Sequence, residues 1–157
     1  MIKMIVAHDD NRVIGKGLEI PWRIKADMES FKRLTSQHTV VMGRKTWDSL
    51  PPKFRPLPNR LNIVLTKNDN WKYDNITILN NIADVIERTE DMFIIGGEKV
   101  YEAFLPYTQK LYVTHVEGKF DGDIHFPAYD KGFVEKSRSI LFEENGIKFR
   151  FLEFEKI

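Results

Sequence analysis

Glycine, hydroxyl and basic residues follow three apolar runs of this chain in a pattern that suits a phosphate. The segments are Gly43-Arg44-Lys45-Thr46 after Val40–Met42, Thr66-Lys67 after Leu61–Leu65, and Gly96-Gly97 after Phe93–Ile95. A flexible glycine, cations and the free N–H groups at the start of a helix together favour an anion. The alternative is that these are turn glycines with solvated charges. Neither the G-x-G-x-x-G nor the G-x-x-x-x-G-K-[ST] fingerprint is present.

Asp27 is the residue that fits its surroundings least well. It shares a predicted helix face with Ile24 and Phe31, and that face should point inward. A carboxylate in such a place needs a hydrogen-bonding partner, which could be a cationic or amidine-like group of a ligand. The alternative is an exposed acid in the first turn of a helix, where the helix dipole stabilises it.

A glycine-hinged loop precedes Asp27. It has the sequence Gly15-Lys16-Gly17-Leu18-Glu19-Ile20-Pro21-Trp22, with glycines at its start and apolar residues at its end. This composition is typical of a mobile lid over a site. The alternative is an ordinary connection in which Trp22 anchors the core.

Metal and thiol chemistry are not expected. The chain has no cysteine, which excludes disulfides, thiolate nucleophiles and Cys-based zinc or iron–sulfur sites. The four histidines are His8, His38, His115 and His125. No two of them are spaced i,i+4, and none has a carboxylate at a spacing typical of a metal site. We therefore interpret all four as structural and propose no metal.

Short β-branched runs predict the strands that would position these groups. Each run is bounded by Gly, Pro, Asn or Asp. The runs are Met4–Ala7, Thr39–Met42, Leu61–Thr66, Ile76–Leu79, Met92–Ile95 and Leu111–Val116. Val40-Val41-Met42 and Ile63-Val64-Leu65 are continuously apolar, as is typical of parallel strands that are covered on both faces.

Helical patterns alternate with several of these strands. Apolar residues at helical spacing occur in three sets, which are Ile24, Met28, Phe31 and Leu34, then Ile82, Val85 and Ile86, then Val100, Ala103 and Phe104. Near the end, Phe133–Leu141 and Lys148–Phe154 alternate apolar with polar residues on either side of Glu143-Glu144-Asn145-Gly146. That pattern predicts an antiparallel hairpin at one sheet edge.

The predicted fold class is α/β. We expect three layers, in which helices flank a mixed, mainly parallel sheet of about eight strands. With 157 residues and neither a repeat nor a linker, residues 1–157 are expected to form one domain. In such sheets ligands bind beyond the carboxyl ends of the strands, which is where the segments described above should lie.

Composition and charge limit the partners. The chain has 24 Lys and Arg against 23 Asp and Glu, a net charge of +1, so no overall field attracts nucleic acid or an anionic membrane. No apolar stretch of the sequence approaches the length that is needed to span a membrane. The apolar stretch at the N-terminus is also too short for a signal peptide. These observations predict a cytoplasmic protein.

Six motifs occur in order over nearly the whole chain. They are Val13-Ile14-Gly15, then Ile20-Pro21-Trp22 with Asp27 and Phe31-Lys32, Met42-Gly43-Arg44-Lys45-Thr46-Trp47, Arg55-Pro56-Leu57-Pro58-Asn59-Arg60, Ile95-Gly96-Gly97 with Val100-Tyr101, and Gly122-Asp123-Ile124-His125-Phe126-Pro127. In order and in register, these motifs resemble those of the dihydrofolate reductase family. The resemblance implies the dihydrofolate reductase-like fold. It also implies NADPH-dependent reduction of 7,8-dihydrofolate to tetrahydrofolate, which serves one-carbon metabolism.

The resemblance further implies roles at the reacting end of the substrate. Asp27 would bind the pterin N3–H and 2-amino group, while Trp22 and Thr114 would position the acid and a water that carries the proton to N5. Tyr101 would lie near the nicotinamide and the pterin. Arg60 would pair with the substrate's α-carboxylate, with Lys32 at the rim. The apolar pocket would be lined by Ile5, Ala7, Met28, Phe31, Leu50 and Leu57.

For the cofactor, the resemblance implies a site along the strand ends. Ala7, Ile14 and the lid Gly15–Ile20 would cover the nicotinamide, and Asp123 would hydrogen-bond to the lid backbone. A cis Gly96–Gly97 bond is expected beside the pyrophosphate. The remaining cofactor residues are expected to be Gly43, Arg44, Lys45, Thr46, Leu65, Thr66, Lys67, Ile95, Lys99 and Val100. Of these, Lys99 and Val100 would approach the pyrophosphate, while Arg44, Lys45, Thr46, Thr66 and Lys67 would surround the pyrophosphate and the 2′-phosphate, which favours NADPH over NADH.

Some positions depart from the family pattern. Pro51-Pro52-Lys53-Phe54 is longer than the common bacterial form, although Asp27 is the bacterial-type acid; Ile124 replaces a usual Thr, and Lys25 a common Pro. Inhibitors of the diaminopyrimidine and pteridine type are plausible ligands, and a monomer is expected. The alternatives are a same-fold pyrimidine reductase of riboflavin synthesis and a non-catalytic nucleotide-binding module.

Overall fold

One large sheet forms the centre of the structure. A computed structural model describes residues 1–157 and contains a nine-stranded sheet together with a separate two-stranded one. The nine strands are β1 Ile2–His8, β3 Thr39–Gly43, β4 Leu61–Leu65, β5 Thr77–Leu79, β6 Met92–Gly96, β7 Lys110–Val116, β9 Phe133–Arg138, β10 Phe142–Glu144 and β11 Ile147–Lys156. The small sheet pairs β2 Val13–Gly15 with β8 Ile124–His125.

The sheet is mainly parallel, as the apolar runs predict. Its order is β10-β11-β7-β1-β6-β3-β4-β5, and β9 pairs with β11 as well. All neighbours from β7 to β5 are parallel, whereas β11 is antiparallel to β7, β9 and β10. The ends of six parallel strands therefore face one edge of the molecule.

Four α-helices cover the two faces of the sheet. They are α1 Lys25–Thr35, α2 Arg44–Ser49, α3 Ile82–Ile86 and α4 Glu98–Phe104. One apolar core joins Met4 and Ile94 to Val85 of α3 and Phe104 of α4. A second core lies on the other face, where Phe31 of α1 packs with residues of β3, β4 and β6. The three-layer prediction is thus confirmed.

Burial explains why the strands have continuous apolar sequences. Val40, Val41 and Met42 of β3 are fully buried, as are Ile63 and Val64 of β4. Both faces of these strands are covered, so no polar alternation is needed. This agrees with the prediction made from the same runs.

The start of α1 differs from the predicted pattern. Ile24 is buried just before the helix rather than within it, and Met28 is exposed although the apolar spacing grouped it with inward residues. The reason is that α1 packs against the cores through Ala26, Phe31 and Leu34, contacts that leave Met28 exposed, so the apolar spacing was wrong for Met28.

The predicted hairpin is present, but its boundaries are different. The first strand ends at Arg138 instead of Leu141, and residues 142–144 form β10, so the turn contains only Asn145 and Gly146. Both turn residues have positive φ, 53° and 82°, which suits an Asn-Gly pair. Regular pairing ends at Ser139, whose N–H donates to the Phe151 carbonyl at 2.9 Å while its hydroxyl, rather than its carbonyl, accepts the Phe151 N–H at 2.9 Å.

The small sheet was not predicted. It joins the end of the β2 strand to the segment before Phe126, and Asp123 N–H donates to the Gly15 carbonyl at 3.2 Å. Strands of two and three residues are too short for an apolar pattern to reveal them. None of the helices has the length and apolarity needed to cross a membrane.

Candidate active site

The predicted segments meet at the carboxyl edge of the sheet. Ala7 at the end of β1 is paired with Thr114 of β7, and Met42 of β3 is paired with Gly96 of β6. Gly43 is likewise paired with Leu65 of β4. Residues that are far apart in sequence are therefore brought together on one side of the molecule.

Asp27 lies half-buried in the first turn of α1 and is bonded to the sheet. Thr114 Oγ1 donates a hydrogen bond to Asp27 Oδ1 at 2.5 Å. Burial raises the pKa of the Asp27 carboxyl above its ordinary value, and the hydrogen bond from Thr114 partly opposes this rise. Its partner is thus a neutral hydroxyl, and no cation of the protein balances its charge.

Tyr101 is buried and is held by the backbone of β1. Its hydroxyl donates to the Ile5 carbonyl at 2.8 Å. Burial raises the pKa of Tyr101 far above its usual range, and the charge of nearby Asp27 adds to this shift. Tyr101 is therefore a neutral hydrogen-bonding group at any ordinary pH, and its ring packs edge-on against Phe126 with 4.8 Å between centroids.

Trp22 lies in an apolar cluster beside the entrance to α1. It is buried with Ile24, Val116 and Phe149, and its ring meets Phe120 at a centroid distance of 5.1 Å. This packing agrees with the interpretation in which Trp22 anchors the core. Its proposed part in positioning water is not tested by these contacts.

Apolar side chains, most of them incompletely buried, lie on α1 with Asp27 and on the elements next to it. Phe31 and Leu50 are partly buried and pack against one core, as does Ile5 from β1. Ala7 packs against the cluster around Trp22, and Leu57 is buried. Met28 and Ile20 are 57% and 64% exposed, more than is usual for large apolar side chains. This surface can accept an apolar ring system.

Arg60 is placed next to this apolar surface. Its guanidinium lies 5.9 Å from the centre of the Phe31 ring, and it donates to Thr35 Oγ1 at 3.1 Å and to the Pro58 carbonyl at 2.8 Å. Partial burial lowers the pKa of Arg60, though it remains a cation. Lys32 lies exposed on α1, and its side chain forms no hydrogen bond or ion pair with the protein.

Three glycines, at Gly43, Gly96 and Gly97, form a close backbone junction between β3 and β6. A Cβ added to Gly96 or Gly97 would lie 3.2 or 3.3 Å from Thr46 Oγ1, and one on Gly43 would lie 3.0 Å from Val100. The Gly96–Gly97 peptide bond is cis, as expected. A side chain at any of these positions would force its neighbour to shift, and the junction leaves backbone groups at the start of α4 open to a ligand.

Basic and hydroxyl groups stand around this junction. Arg44 and Lys45 begin α2, Thr66 and Lys67 follow β4, and Lys99 lies in the first turn of α4. Lys45, Lys67 and Lys99 are exposed, whereas Arg44, Thr66, Leu65 and Ile95 are partly buried. The arrangement offers several cations to an anionic ligand, although the whole chain carries a net charge of only +1.

The lid segment is tied to the loop before β8. Lys16 and Glu19 form an isolated bridge across Gly17 and Leu18, and Gly17 N–H donates to Asp123 Oδ1 at 3.2 Å. Lys16 also forms an ion pair with Asp121. Ile14 is partly buried beneath this segment, while Leu18 and Ile20 are exposed and free to contact a ligand.

The sequence interpretation missed two residues that organise this surface. Buried Asn62 accepts the Leu57 N–H at 2.9 Å and donates to the carbonyls of Leu57 and Arg60 at 3.0 Å, which fixes the loop carrying Arg60. Glu144 accepts the N–H groups of Lys25 and Ala26 at the start of α1. A lone polar residue in an apolar strand was the available signal for Asn62; no local signal existed for Glu144.

Comparisons with known proteins agree with this geometry. The family model for dihydrofolate reductase matches residues 1–156. The dihydrofolate reductases of Bacillus subtilis and Staphylococcus haemolyticus are 38% and 40% identical over 162 residues, covering 99% of this chain and 95% and 96% of theirs. A solved dihydrofolate reductase from Enterococcus faecalis, complexed with NADP(H) and RAB-propyl, matches with a TM-score of 0.89 at 28% identity, covering 99% of this chain and 96% of that one.

Proposed function

The chain belongs to the dihydrofolate reductase family, and we propose that it reduces 7,8-dihydrofolate to 5,6,7,8-tetrahydrofolate with NADPH. The observation that carries this proposal is the half-buried Asp27 carboxylate, which accepts a hydrogen bond from Thr114, has no cationic partner in the protein and shares α1 with partly buried Phe31 and exposed Met28. A ring with an amidine-like edge and apolar faces matches such a surface. The product supplies one-carbon metabolism.

Asp27 is proposed to hold the pterin ring. Thr114 occupies Oδ1 at 2.5 Å, and the two carboxylate oxygens retain lone pairs for the N3–H and 2-amino donors. These charge-assisted bonds offset the cost of burying the carboxylate, which no protein cation does. Because Asp27 would lie at N3 rather than N5, we propose that water brings the proton to N5, with Trp22 and Tyr101 bordering the site.

The glycine junction fits the pyrophosphate of NADPH. Gly43, Gly96 and Gly97 approach Val100 and Thr46 so closely that side chains would fill the space. When bound, NADPH supplies the hydride that reduces the substrate. We propose that Arg44, Lys45, Thr66 and Lys67 hold the adenosine end and that Ala7, Ile14 and the lid Gly15–Ile20 exclude water from the nicotinamide.

Arg60 is proposed to bind the α-carboxylate of the substrate. Its Nε and one Nη already donate to Pro58 and Thr35, which fixes the plane of the guanidinium. A planar fork in a fixed position suits a carboxylate better than a flexible ammonium group would. Asn62 supports this arrangement by fixing the loop from Leu57 to Arg60.

The decisive test is whether the protein oxidises NADPH in the presence of dihydrofolate. The reaction is monitored as a loss of the absorbance of the reduced nicotinamide. Asp27→Asn should lower kcat/KM at neutral pH by about tenfold or more, since hydrogen bonds to charged groups contribute about 1.5–3 kcal/mol. Asp130→Asn, an identical change at an exposed acid away from this surface, should retain full activity. NADH should be the poorer donor.

A folded wild-type protein that binds NADPH but leaves dihydrofolate unreduced would exclude this function and favour the pyrimidine reductase or a binding module. Five further expectations remain predictions: one domain over residues 1–157, a monomeric state, a cytoplasmic location, binding of inhibitors, and the departure of Pro51–Phe54 from the common bacterial form. That segment contains an exposed 3₁₀ turn, Pro52–Phe54, close to Leu50.

A further inference from the structure

An aromatic cluster covers α2 next to the proposed cofactor site. Buried Trp47 of α2 meets Trp71 at a centroid distance of 6.0 Å and Tyr73 at 4.9 Å, both edge-on. Trp71 and Tyr73 belong to the segment between β4 and β5. No residue of this cluster other than Trp47 belongs to the motifs that carried the family resemblance.

The segment after β4 is shaped by its own hydrogen bonds. Thr66 Oγ1 accepts the Asn68 N–H at 3.1 Å, Asn68 Oδ1 accepts the Asn70 N–H at 3.0 Å, and the Trp71 N–H donates to the Asn68 carbonyl at 3.2 Å. These bonds form consecutive turns. They bring the indole of Trp71 back over the first residue of α2.

Arg44 is fixed by two contacts. Its guanidinium carbon lies 4.1 Å from the centre of the Trp71 ring, and its Nε donates to Asp48 Oδ1 at 3.1 Å. The two terminal nitrogens make no hydrogen bond to the protein. Arginine loses considerable side-chain entropy when it is held in one place, and here the loss is incurred before any ligand arrives.

We propose that Trp71 is a specificity-determining residue that holds Arg44 ready for the 2′-phosphate of NADPH. This inference rests on the proposed function, because the inference takes NADPH as the cofactor and Arg44 as a ligand of its 2′-phosphate. Trp71 offers a flat π surface that orients the guanidinium and leaves its terminal nitrogens open to a dianion. Asp48 fixes the direction of the stem. Discrimination against NADH then depends on a residue of the segment after β4 as well as on the cations.

Binding of two small nucleotides isolates this effect from catalysis. Titration calorimetry with 2′,5′-ADP and with 5′-AMP compares the presence and absence of the 2′-phosphate on the same adenosine. Trp71→Leu should weaken 2′,5′-ADP by about two- to fivefold, the range expected for an exposed cation–π contact, and should leave 5′-AMP unchanged. Trp71→Phe should retain part of the discrimination because a ring remains.

Tyr73→Leu is the matched control, because Tyr73 packs on the same Trp47 and Trp71 rings, whereas the cation–π contact of Arg44 is made with Trp71. It should leave the ratio of the two affinities unchanged. In an Arg44→Ala background, Trp71→Leu should have no further effect on 2′,5′-ADP. Thermal unfolding of each variant verifies that it is folded.

Several results would overturn the proposal. The first is that Trp71→Leu weakens the binding of 2′,5′-ADP and of 5′-AMP equally. The second is that Tyr73→Leu changes the ratio of the two affinities as much as Trp71→Leu does. The third is that Trp71→Leu has its full effect on 2′,5′-ADP in the Arg44→Ala background. Tighter binding by Trp71→Leu would show that the indole occupies the ligand's place, which also contradicts it. Failure of dihydrofolate reduction would be seen separately, in the absorbance assay, and would leave these nucleotide affinities measurable.

Discussion

At the scale of single residues, Asp27 shows how a binding group is kept at the expense of stability. It is half-buried, it has one hydroxyl partner, and its pKa is raised because burial outweighs the hydrogen bond from Thr114. A carboxylate whose pKa is raised on folding makes the protein take up protons as it folds. Ionised Asp27 is therefore a cost to the folded state that a cationic or amidine-like ligand can relieve.

Removing that charge should stabilise the protein while it abolishes most of the activity. Below the unfolded-state pKa of 3.8, Asp27 is protonated in both states and contributes nothing. As pH rises from there through the raised folded-state pKa, the unfolding free energy of the wild type falls because of this group. Asp27→Asn should thus be the more stable protein at neutral pH, and its advantage should disappear towards pH 4.

Urea denaturation at several pH values between 4 and 8 measures this difference. Asp130→Asn serves as the control, since it removes an exposed charge, and its difference from the wild type should stay within about 0.5 kcal/mol. A variant Asp27→Asn that is less stable than the wild type at pH 7 would contradict the interpretation of Asp27 as an uncompensated carboxylate.

Thr114 should set how much of Asp27 is ionised. Its hydroxyl donates to the carboxylate and so favours the charged form, lowering a pKa that burial raises. Thr114→Val keeps the shape and removes the donor, so the pKa of Asp27 should move further upward. Carboxyl carbon NMR of the ligand-free protein would follow the titration directly, and Thr108→Val, at a buried hydroxyl bonded to Phe104, should leave the midpoint in place.

The residue types of the candidate site could be predicted from sequence, but their partners could not. Gly43, Asp27 and Gly96 stand out because a glycine or an acid interrupts an apolar pattern. Asn62 also interrupts one, although what it holds is a loop that only the folded chain brings near. Trp71 was missed because its contact with Arg44 requires a turn whose geometry no pattern specified.

At the scale of elements, helix α1 lacks a capping side chain of its own. The residue before it is Ile24, which cannot accept a hydrogen bond with its side chain. Glu144 of β10 accepts instead, with Oε2 taking the Lys25 N–H at 2.5 Å and Oε1 the Ala26 N–H at 3.1 Å. The hairpin at the sheet edge thus supports the first turn of the helix that carries Asp27.

Glu144→Ala should remove this cap and destabilise the protein by about 1 kcal/mol, as loss of an N-terminal cap usually does. Hydrogen exchange should show faster exchange at the amides of Lys25 and Ala26 specifically, because they lose their acceptors. Glu143→Ala is the matched control, since Glu143 is the neighbouring acid and makes no hydrogen bond to α1. Equal protection of both amides in Glu144→Ala and the wild type would exclude the capping role.

The elements themselves were largely predictable, apart from their ends. Buried strands such as β3 and β4 followed from apolar runs, and the Asn145-Gly146 turn followed from its residue types. The break at Ser139 did not, because it depends on a hydroxyl bonding across to Phe151. Met28 was misplaced because α1 packs against the cores through Ala26, Phe31 and Leu34 and leaves Met28 exposed.

At the scale of the whole molecule, the parallel sheet concentrates charge that the composition conceals. The net charge is +1, yet Arg44, Lys45, Lys67 and Lys99 all stand beyond the ends of β3, β4 and β6. Attraction between exposed opposite charges is strongly screened once the Debye length falls from about 10 Å at 0.1 M salt to about 3 Å at 1 M. The field at this edge should therefore depend on salt although the protein as a whole is nearly neutral.

Salt should accordingly erode the preference for NADPH over NADH. An exposed ion pair contributes about 1 kcal/mol at low salt, so the ratio of the two affinities should fall by about fivefold or more between 20 mM and 1 M sodium chloride. Lys45→Gln should flatten this dependence because it removes one of the cations. Lys136→Gln removes the same charge from β9, beyond β11 at the other side of the sheet, and should leave the slope unchanged. Parallel slopes for NADPH and NADH would mean that the 2′-phosphate does not meet these cations, so that the edge acts on the pyrophosphate alone.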